Sequence, residues 1–230
     1  MVRAAFLSCL CLAAAPAAAC RLALVLALDV SSSVDAREDK LLRDGLAAAL
    51  LAPEVEAAFF VSADPVALMA FEWSGRGHQT DLLDWVLINT PADLEIAADG
   101  LSRSQRGASG QPTAMGHALG YAATKLQDAP VCLSQTIDLA GDGINNESFG
   151  PAGAYATFPF EGVVVNGLVI ARDDRAVQDY FQTHVIRGPT AFIEVAQGFT
   201  DFENAMRRKL LREVFTQVLG RNTSLQRVPG

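Results

Sequence analysis

Residues 22–33 of the chain read Leu-Ala-Leu-Val-Leu-Ala-Leu-Asp-Val-Ser-Ser-Ser, an uninterrupted apolar run that ends in an acidic residue and three serines. Such a run is typical of a strand buried on both faces, as in a parallel sheet covered by helices. Asp29, Ser31 and Ser33 would then lie on the loop at the carboxyl end of the strand, where open α/β sheets bind their ligands. One carboxylate and two hydroxyls are hard oxygen ligands, which suit a magnesium-like ion.

Short apolar segments alternate with segments of helical periodicity along the rest of the chain. The predicted strands cover residues 22–28, 67–73, 85–88, 135–140, 163–170 and 191–196. The predicted helices cover residues 35–51, 92–101, 113–127, part of 151–158, 174–185 and 202–218. This alternation predicts an α/β fold, a doubly wound and mostly parallel six-stranded sheet flanked by helices. We expect one domain over residues 20–220 and a frayed tail over 221–230.

The composition suits a globular protein that does not bind nucleic acid. The chain has 230 residues, half of them hydrophobic, which is enough for one full core. With 26 acidic and 18 basic residues the net charge is −8, and no basic cluster offers a surface for phosphates. The densest basic run, Arg207-Arg208-Lys209 with Arg212, lies in a helical pattern and is interpreted as the solvated face of the terminal helix.

The first nineteen residues have the pattern of a secretory signal peptide. Arg3 gives a short positive start, an apolar stretch follows, and small residues precede position 20. The stretch is too short to span a bilayer, and no later segment is predicted to do so. We therefore expect an exported protein, periplasmic or extracellular in a bacterium. A lipid anchor on Cys20 is the alternative, although Ala17 stands where lipoprotein processing usually wants a larger apolar residue.

Removal of residues 1–19 would leave Cys20 and Cys132 as the only cysteines. Two cysteines in an exported protein predict one disulfide. Each precedes an apolar strand segment, so parallel neighbouring strands would place both cysteines at the edge opposite the ligand site. The alternative is two unrelated cysteines. A structural metal bound by these two alone is disfavoured, because such sites need four ligands.

Two later segments supply matching oxygen ligands. Thr113 follows Gly-Gln-Pro and begins a helix, and Asp142 lies between two glycines at the end of a strand. In a doubly wound sheet both would converge on the edge that carries Asp29, Ser31 and Ser33. Five oxygen ligands could then surround one octahedral ion, with water or a partner's oxygen completing the shell.

Other interpretations of these segments fit less well. Ser33 or Asp35 could simply cap the first helix. The segment 138–149 has a calcium-loop beginning but lacks the required glutamate at its twelfth position. The chain has no Gly-x-Ser-x-Gly elbow and no Gly-x-Gly-x-x-Gly loop, and its three histidines are scattered. His117 is expected to pack within its helix.

The set Asp29-x-Ser-x-Ser33, Thr113 and Asp142 resembles the metal-ion-dependent adhesion site (MIDAS) of von Willebrand factor type A (vWA) domains. The surrounding sequence is most similar to a bacterial exported branch, the DUF1194 family. That similarity is carried by residues 26–35, 113–119, 137–146 and 165–168, and it extends over 20–218. One departure is Pro112, which stands where a glycine commonly precedes the threonine.

The resemblance implies binding to a protein partner and no enzymatic activity. The five motif residues would hold Mg²⁺, or Mn²⁺ or Ca²⁺, and an acidic residue of the partner would take the open position. Asp138 and Asn145 are expected near the ion without binding it directly, Asp138 through a structural hydrogen bond and Asn145 mainly as a turn former. Two alternatives remain open, a metal-dependent phosphoester hydrolase and an envelope scaffold whose metal site is vestigial.

Overall fold

A computed structural model describes residues 20–171 and 174–224, with side chains up to residue 215. The predicted signal peptide, 1–19, lies outside the described residues, as does the end of the predicted tail, 225–230. The predicted tail residues 221–224 belong to the last helix.

A single six-stranded sheet forms the centre of the protein. Its strands are β1 (Leu22–Asp29), β2 (Val66–Trp73), β3 (Gln79–Ile88), β4 (Gln135–Gly141), β5 (Val163–Ile170) and β6 (Ile193–Ala196). The order across the sheet is β3-β2-β1-β4-β5-β6, and only the β2–β3 pair is antiparallel. The predicted doubly wound, mostly parallel α/β sheet is therefore confirmed.

Seven α-helices flank the sheet. They are α1 (Ala36–Leu50), α2 (Pro53–Phe59), α3 (Pro91–Arg103), α4 (Met115–Lys125), α5 (Pro151–Thr157), α6 (Arg175–Tyr180) and α7 (Phe202–Ser224) among the described residues. The π-helical turn Phe181–Val185 continues α6. The predicted helices do not include α2, which begins at Pro53 shortly after the end of α1. Proline is well tolerated at the first position of a helix, where its missing N–H needs no partner.

Two apolar clusters cover the two faces of the sheet. On β1, the side chains of Leu22, Leu24, Leu26 and Leu28 pack with α1, α2, α3 and α7. The alternate residues 23, 25 and 27 pack with α4, α5 and α6. No residue of β1 is more than 1% exposed, because helices cover both of its faces. The apolar run at residues 22–28 thus forms one of the two central strands and fixes where Asp29 emerges.

The amino edge of the sheet is closed by a disulfide. Cys20 and Cys132 are bonded, with their Cα atoms 4.5 Å apart, just before β1 and β4. This confirms the predicted bridge and its position opposite the carboxyl edge. A sulfur in a disulfide cannot also carry a lipid thioether, so the bridge excludes a lipid anchor on Cys20. Within the described residues, no helix has the length and apolarity needed to cross a membrane.

Candidate metal centre

Three loops meet at the carboxyl edge of the sheet. The first loop, 30–35, follows β1; the second loop, 104–114, joins α3 to α4; the third loop, 142–150, follows β4. Because β1 and β4 are parallel neighbours with Leu28 opposite Ala140, their ends are level. Asp29, the last residue of β1, and Asp142, the first residue after β4, therefore leave the sheet side by side.

Direct contacts join four of the predicted ligands. The Ser33 hydroxyl donates to Asp142 Oδ1 at 2.7 Å, and it lies 3.2 Å from the Ser31 hydroxyl. The Ser31 amide donates to Asp29 Oδ1 at 2.8 Å. A Cβ on Gly141 would lie only 3.1 Å from Asp29 Oδ2, so Asp29 packs directly against the residue before Asp142.

Thr113 is fixed to the third loop through its backbone. Its amide donates to Asn146 Oδ1 at 2.8 Å, and its carbonyl accepts from the amides of Asn146 (3.0 Å) and Glu147 (3.3 Å). The second loop is also tied to the first, since the Ser32 amide donates to the Gln111 carbonyl at 2.8 Å. The three loops that carry the predicted ligands thus form one hydrogen-bonded unit.

The electrostatics of this unit are unfavourable without a cation. Burial, and then the neighbouring charge of Asp142, raises the pKa of Asp29 from 3.8 to about 7, although hydrogen bonds from Ser31 and the charge of Arg106 oppose the shift. Burial also raises the pKa of Asp142. Asp29 Oδ2 is fully buried and has no hydrogen-bond partner. A buried acceptor without a partner destabilises the fold, so a hydrogen-bond donor or a cation at this oxygen would be stabilising.

The donor set fits a hard divalent ion. Two carboxylates and three hydroxyl side chains are brought to one edge, and oxygen donors of this kind suit Mg²⁺, Mn²⁺ or Ca²⁺. The residues that the structure describes contain no group of three or more His, Cys, Asp or Glu side chains placed to hold a metal. An ion at this edge would therefore depend on the hydroxyls of Ser31, Ser33 and Thr113.

Arg106 fixes the first loop from the second. Its Nη1 donates to the Val34 carbonyl at 2.7 Å, and its Nη2 donates to the carbonyls of Val30 and of Ser31, the latter at 3.0 Å. One guanidinium thus engages three carbonyls of the segment that carries the ligands. The sequence reasoning missed this role, because a lone arginine in a polar loop carries no recognisable pattern.

Glu72 ties the second loop to the sheet. This fully buried residue of β2 accepts from Arg43 Nη2 at 2.5 Å and from the Gly107 amide at 2.7 Å, and it lies 2.8 Å from His78 Nε2. A Cβ on residue 107 would lie 2.9 Å from Glu72 Oε1, which explains the glycine there. The second loop is therefore held near Gly107 to Glu72 of β2 and, through Glu72, to Arg43 of α1.

Asp138 is not beside the metal centre. It lies within β4, four positions before Asp142, which at a rise of about 3.3 Å per residue is roughly 13 Å along the strand. Its carboxyl faces Lys209 of α7, with Nζ 2.7 Å from Oδ1. Asp138 was expected near the ion, but it lies further down the strand and its carboxyl contacts Lys209 instead. The sequence does not reveal this partner. Lys209 is itself completely buried, so its assignment to a solvated face was wrong.

The asparagines of the third loop have separate contacts. Asn145 Oδ1 accepts from the Gly116 amide at 3.4 Å, which places it against the first turn of α4. Asn146 is the residue that binds the Thr113 amide, a role that the turn-forming pattern did not indicate. His117 Nε2 lies 3.0 Å from the Ser148 hydroxyl, and its ring packs on Phe149.

The sheet order, the antiparallel edge strand and the three ligand loops define the architecture of a vWA domain. A family model described as "Protein of unknown function (DUF1194)" matches residues 19–218. The chain therefore belongs to the DUF1194 family. No curated protein sequence matches it.

Solved structures of vWA proteins have the same fold. A von Willebrand factor type A protein from Catenulispora acidiphila has 14% sequence identity and a TM-score of 0.60, covering 85% of this chain and 43% of that one. Proximal thread matrix protein 1 from the mussel byssus, with a zinc-occupied MIDAS motif, has 15% identity and a TM-score of 0.58, covering 86% and 49%. The manganese-loaded TRAP protein of Plasmodium vivax has 16% identity and a TM-score of 0.55, covering 86% and 74%. At these identities the likeness shows the fold alone, and this chain spans less than half of the first two proteins.

Proposed function

We propose that this protein is an exported vWA domain that binds a protein partner through a divalent ion, with no catalytic role. The residues that would hold the ion are Asp29, Ser31, Ser33, Thr113 and Asp142. The ion would be Mg²⁺, with Mn²⁺ or Ca²⁺ as alternatives. When bound, it would act as a Lewis acid that accepts an oxygen from an acidic side chain of the partner.

The observation that carries this proposal is the state of Asp29. Its Oδ2 atom is buried without a hydrogen-bond partner, beside a second carboxylate whose charge disfavours its ionisation. A divalent ion would give this oxygen a partner and would compensate both negative charges. The loops already hold these groups together, so little rearrangement would be needed on binding.

The exposure of the ligands supports docking of a large partner. Asp29, Ser31 and Thr113 are at most 5% exposed, whereas Ser33 is exposed and Asp142 is partly exposed. An ion held here would have buried ligands on the protein side and an accessible side facing outward. The disulfide at the opposite edge is in keeping with an oxidising compartment outside the cytoplasm.

The surroundings of the site favour binding over hydrolysis. A metal-dependent phosphoester hydrolase needs a general base near the ion. His117 is engaged by Ser148, and Glu38 accepts the Asp35 amide as part of the cap of α1. Two structural neighbours, one with a zinc-occupied MIDAS motif and one loaded with manganese, support the binding of a divalent ion by a protein of this fold.

The test is capture of partners from a native envelope extract on the immobilised protein, with Mg²⁺ or with chelator. We expect a discrete partner that is released by chelator and is not captured by Asp142→Ala. The matched control is Asp128→Ala, which removes an exposed carboxylate after α4, at the other edge of the sheet. This control should capture the partner as the unaltered protein does.

Two outcomes would contradict the proposal. A partner that is retained equally in chelator and by Asp142→Ala would indicate a scaffold whose metal site is vestigial. Turnover of a generic phosphoester that disappears in Asp29→Ala would indicate a hydrolase.

A further inference from the structure

A second polar cluster lies in the core, between β4 and α7. Lys209 and Glu213 are one turn apart on α7, and their side chains reach Asp138 in the middle of β4. Lys209 Nζ lies 2.7 Å from Asp138 Oδ1 and 2.6 Å from Glu213 Oε1. Lys209 is 0% exposed, Asp138 1% and Glu213 4%. Asn166 of β5 closes the cluster by donating to Glu213 Oε1 at 2.7 Å.

The contact between the amine and Asp138 is unlike an ordinary buried ion pair. Apart from the amine of Lys209, no group reaches either carboxyl oxygen of Asp138, and both oxygens are buried. A buried charge pair is favourable only when further hydrogen bonds complete it. Asp138 has none, whereas Glu213 receives hydrogen bonds from both Lys209 and Asn166.

The charges in the cluster are also unequal. One ammonium faces two carboxyl groups, so the cluster is neutral only if one carboxyl keeps its proton. Burial raises the pKa of Asp138 to about 7, and the charge of Glu213 adds to the shift, while Lys209 opposes it. We assign the retained proton to Asp138, because burial raises its pKa and no group other than Lys209 reaches its carboxyl oxygens, whereas Glu213 Oε1 accepts hydrogen bonds from both Lys209 and Asn166.

This arrangement brings together an amine, a neutral carboxylic acid and a base in a dry site. Reacting groups held in contact avoid most of the entropic cost of a bimolecular step. Exclusion of water also favours a condensation that releases water. We propose that Lys209 and Asp138 form an intramolecular isopeptide bond, with Glu213 as the group that accepts the proton from the amine.

The reaction balances without any co-reactant. Glu213 takes one proton from the ammonium of Lys209, and the nitrogen lone pair then attacks Cγ of the protonated Asp138 carboxyl. The new C–N bond forms as the C–O bond to the hydroxyl breaks, and a second proton from nitrogen joins that hydroxyl to give water. The products are one secondary amide, one water molecule and the protonated Glu213.

After the reaction, none of the three groups in the cluster would carry a charge. The amide replaces a buried ammonium and a buried carboxyl, and Glu213 no longer carries a charge, so the desolvation cost of the cluster falls. The bond would also join the central strand β4 covalently to α7. Because it lies away from the ligand loops, this inference is independent of metal binding and of the proposed function.

The test is mass spectrometry of the purified, disulfide-reduced protein. The intact mass is expected to fall short of the sequence mass by one water molecule. A tryptic digest is expected to contain a branched peptide that joins the segments of Asp138 and Lys209, with no cleavage after Lys209. Asp138→Asn offers a matched control, because its amide would release ammonia in place of water and give a cross-linked chain of the same mass as the wild-type product.

The remaining variants define what would overturn the proposal. Asp138→Ala and Lys209→Met should have their full sequence masses, and Glu213→Gln should lose most or all of the cross-link while it still unfolds cooperatively. If Glu213→Gln does not fold, the wild-type peptide map decides alone. A wild-type chain of full sequence mass with normal cleavage after Lys209 would mean that the cluster is a non-covalent ion group, and the proposal would be wrong.

Discussion

Asp29 and Asp138 are two buried aspartates on neighbouring parallel strands, and they differ in whether a positively charged side chain contacts them. Each is 1% exposed, each has a carboxyl oxygen without a hydrogen-bond partner, and burial raises the pKa of each to about 7. Asp138 faces the ammonium of Lys209. Among the described residues, no lysine or arginine forms an ion pair with Asp29.

We propose that this contrast distinguishes a structural ion group at Asp138 from a metal-binding site at Asp29. Burying a carboxylate is costly wherever it occurs, and a cation is the usual compensation. At Asp138 the chain supplies that cation from α7, deep in the core. At Asp29 the chain supplies hydroxyls and a second carboxylate at an accessible edge, and under the proposed function the cation there comes from solution.

Removal of the internal cation should have the largest effect on stability. Lys209→Met would remove both the ammonium and the proposed amide and would leave Asp138 and Glu213 buried without a positive partner, so we expect the free energy of unfolding to fall by about 3–5 kcal/mol. Urea denaturation measures this loss. Lys40→Met, which breaks an exposed pair with Asp44, should cost less than about 1 kcal/mol. Similar losses in the two variants would contradict the structural role of Lys209.

The missing cation at Asp29 should appear as a pH dependence of the metal-free protein. The folded-state pKa, about 7, lies above the unfolded value of 3.8. The folded state therefore holds the proton more tightly, and its stability falls as the pH rises from about 4 to about 7. The full shift corresponds to up to about 4 kcal/mol, at about 1.4 kcal/mol per pKa unit. The free energy of unfolding is measured by urea denaturation with chelator at pH 5 and at pH 8. In Asp29→Asn the decrease in this free energy between the two pH values should be smaller than in the unaltered protein. An identical slope in both proteins would argue against an unbalanced charge at Asp29.

The disulfide edge should be energetically separate from the metal edge. Replacing both Cys20 and Cys132 by serine should lower the free energy of unfolding by about 2–4 kcal/mol, because the open chain gains conformational freedom. In thermal denaturation with and without Mg²⁺, this double variant should be stabilised by the ion as much as we expect for the unaltered protein. Loss of the Mg²⁺ effect would mean that the two edges are coupled.

Arg106 should have the smallest effect, through the shape of the first loop. Arg106→Gln leaves three carbonyls without their donor, and loss of such a supporting contact typically weakens metal affinity by about tenfold or more. Titration with Mn²⁺ measures this change. Arg103→Gln is the matched control, because its partner Asp99 and Arg103 itself are both exposed. Equal Mn²⁺ affinities in the two variants would remove the positioning role of Arg106.

The parts of the molecule that sequence reasoning predicted are those with a local signal. The apolar run of β1 predicted a strand buried on both faces, and the hydroxyls and carboxylates after strands or before a helix pointed to three loops that the structure brings together at one edge. The edge strand β3 begins at Gln79, well before the predicted start at residue 85. Its first three residues, Gln79 to Asp81, are polar and partly or fully exposed, so they lack the apolar pattern of a buried strand.

The parts that were missed depend on contacts between distant segments. Lys209 belongs to a basic run that is typical of a solvated helix face, and only the packing of α7 on β4 buries it against Asp138. Arg106 and Asn146 act on backbone groups of other loops, which no spacing within one segment reveals. The candidate ligands could be proposed from the sequence, but the groups that hold their loops in position could not.

The comparison between Asp29 and Asp138 is tested most directly by calorimetric titration with Mn²⁺ at pH 7.5 or above. The unaltered protein should bind one ion, Asp138→Asn should bind it with the same affinity, and Asp29→Asn should not bind it. Binding that survives in Asp29→Asn, or that disappears equally in Asp138→Asn, would contradict a metal centre at the carboxyl edge of the sheet.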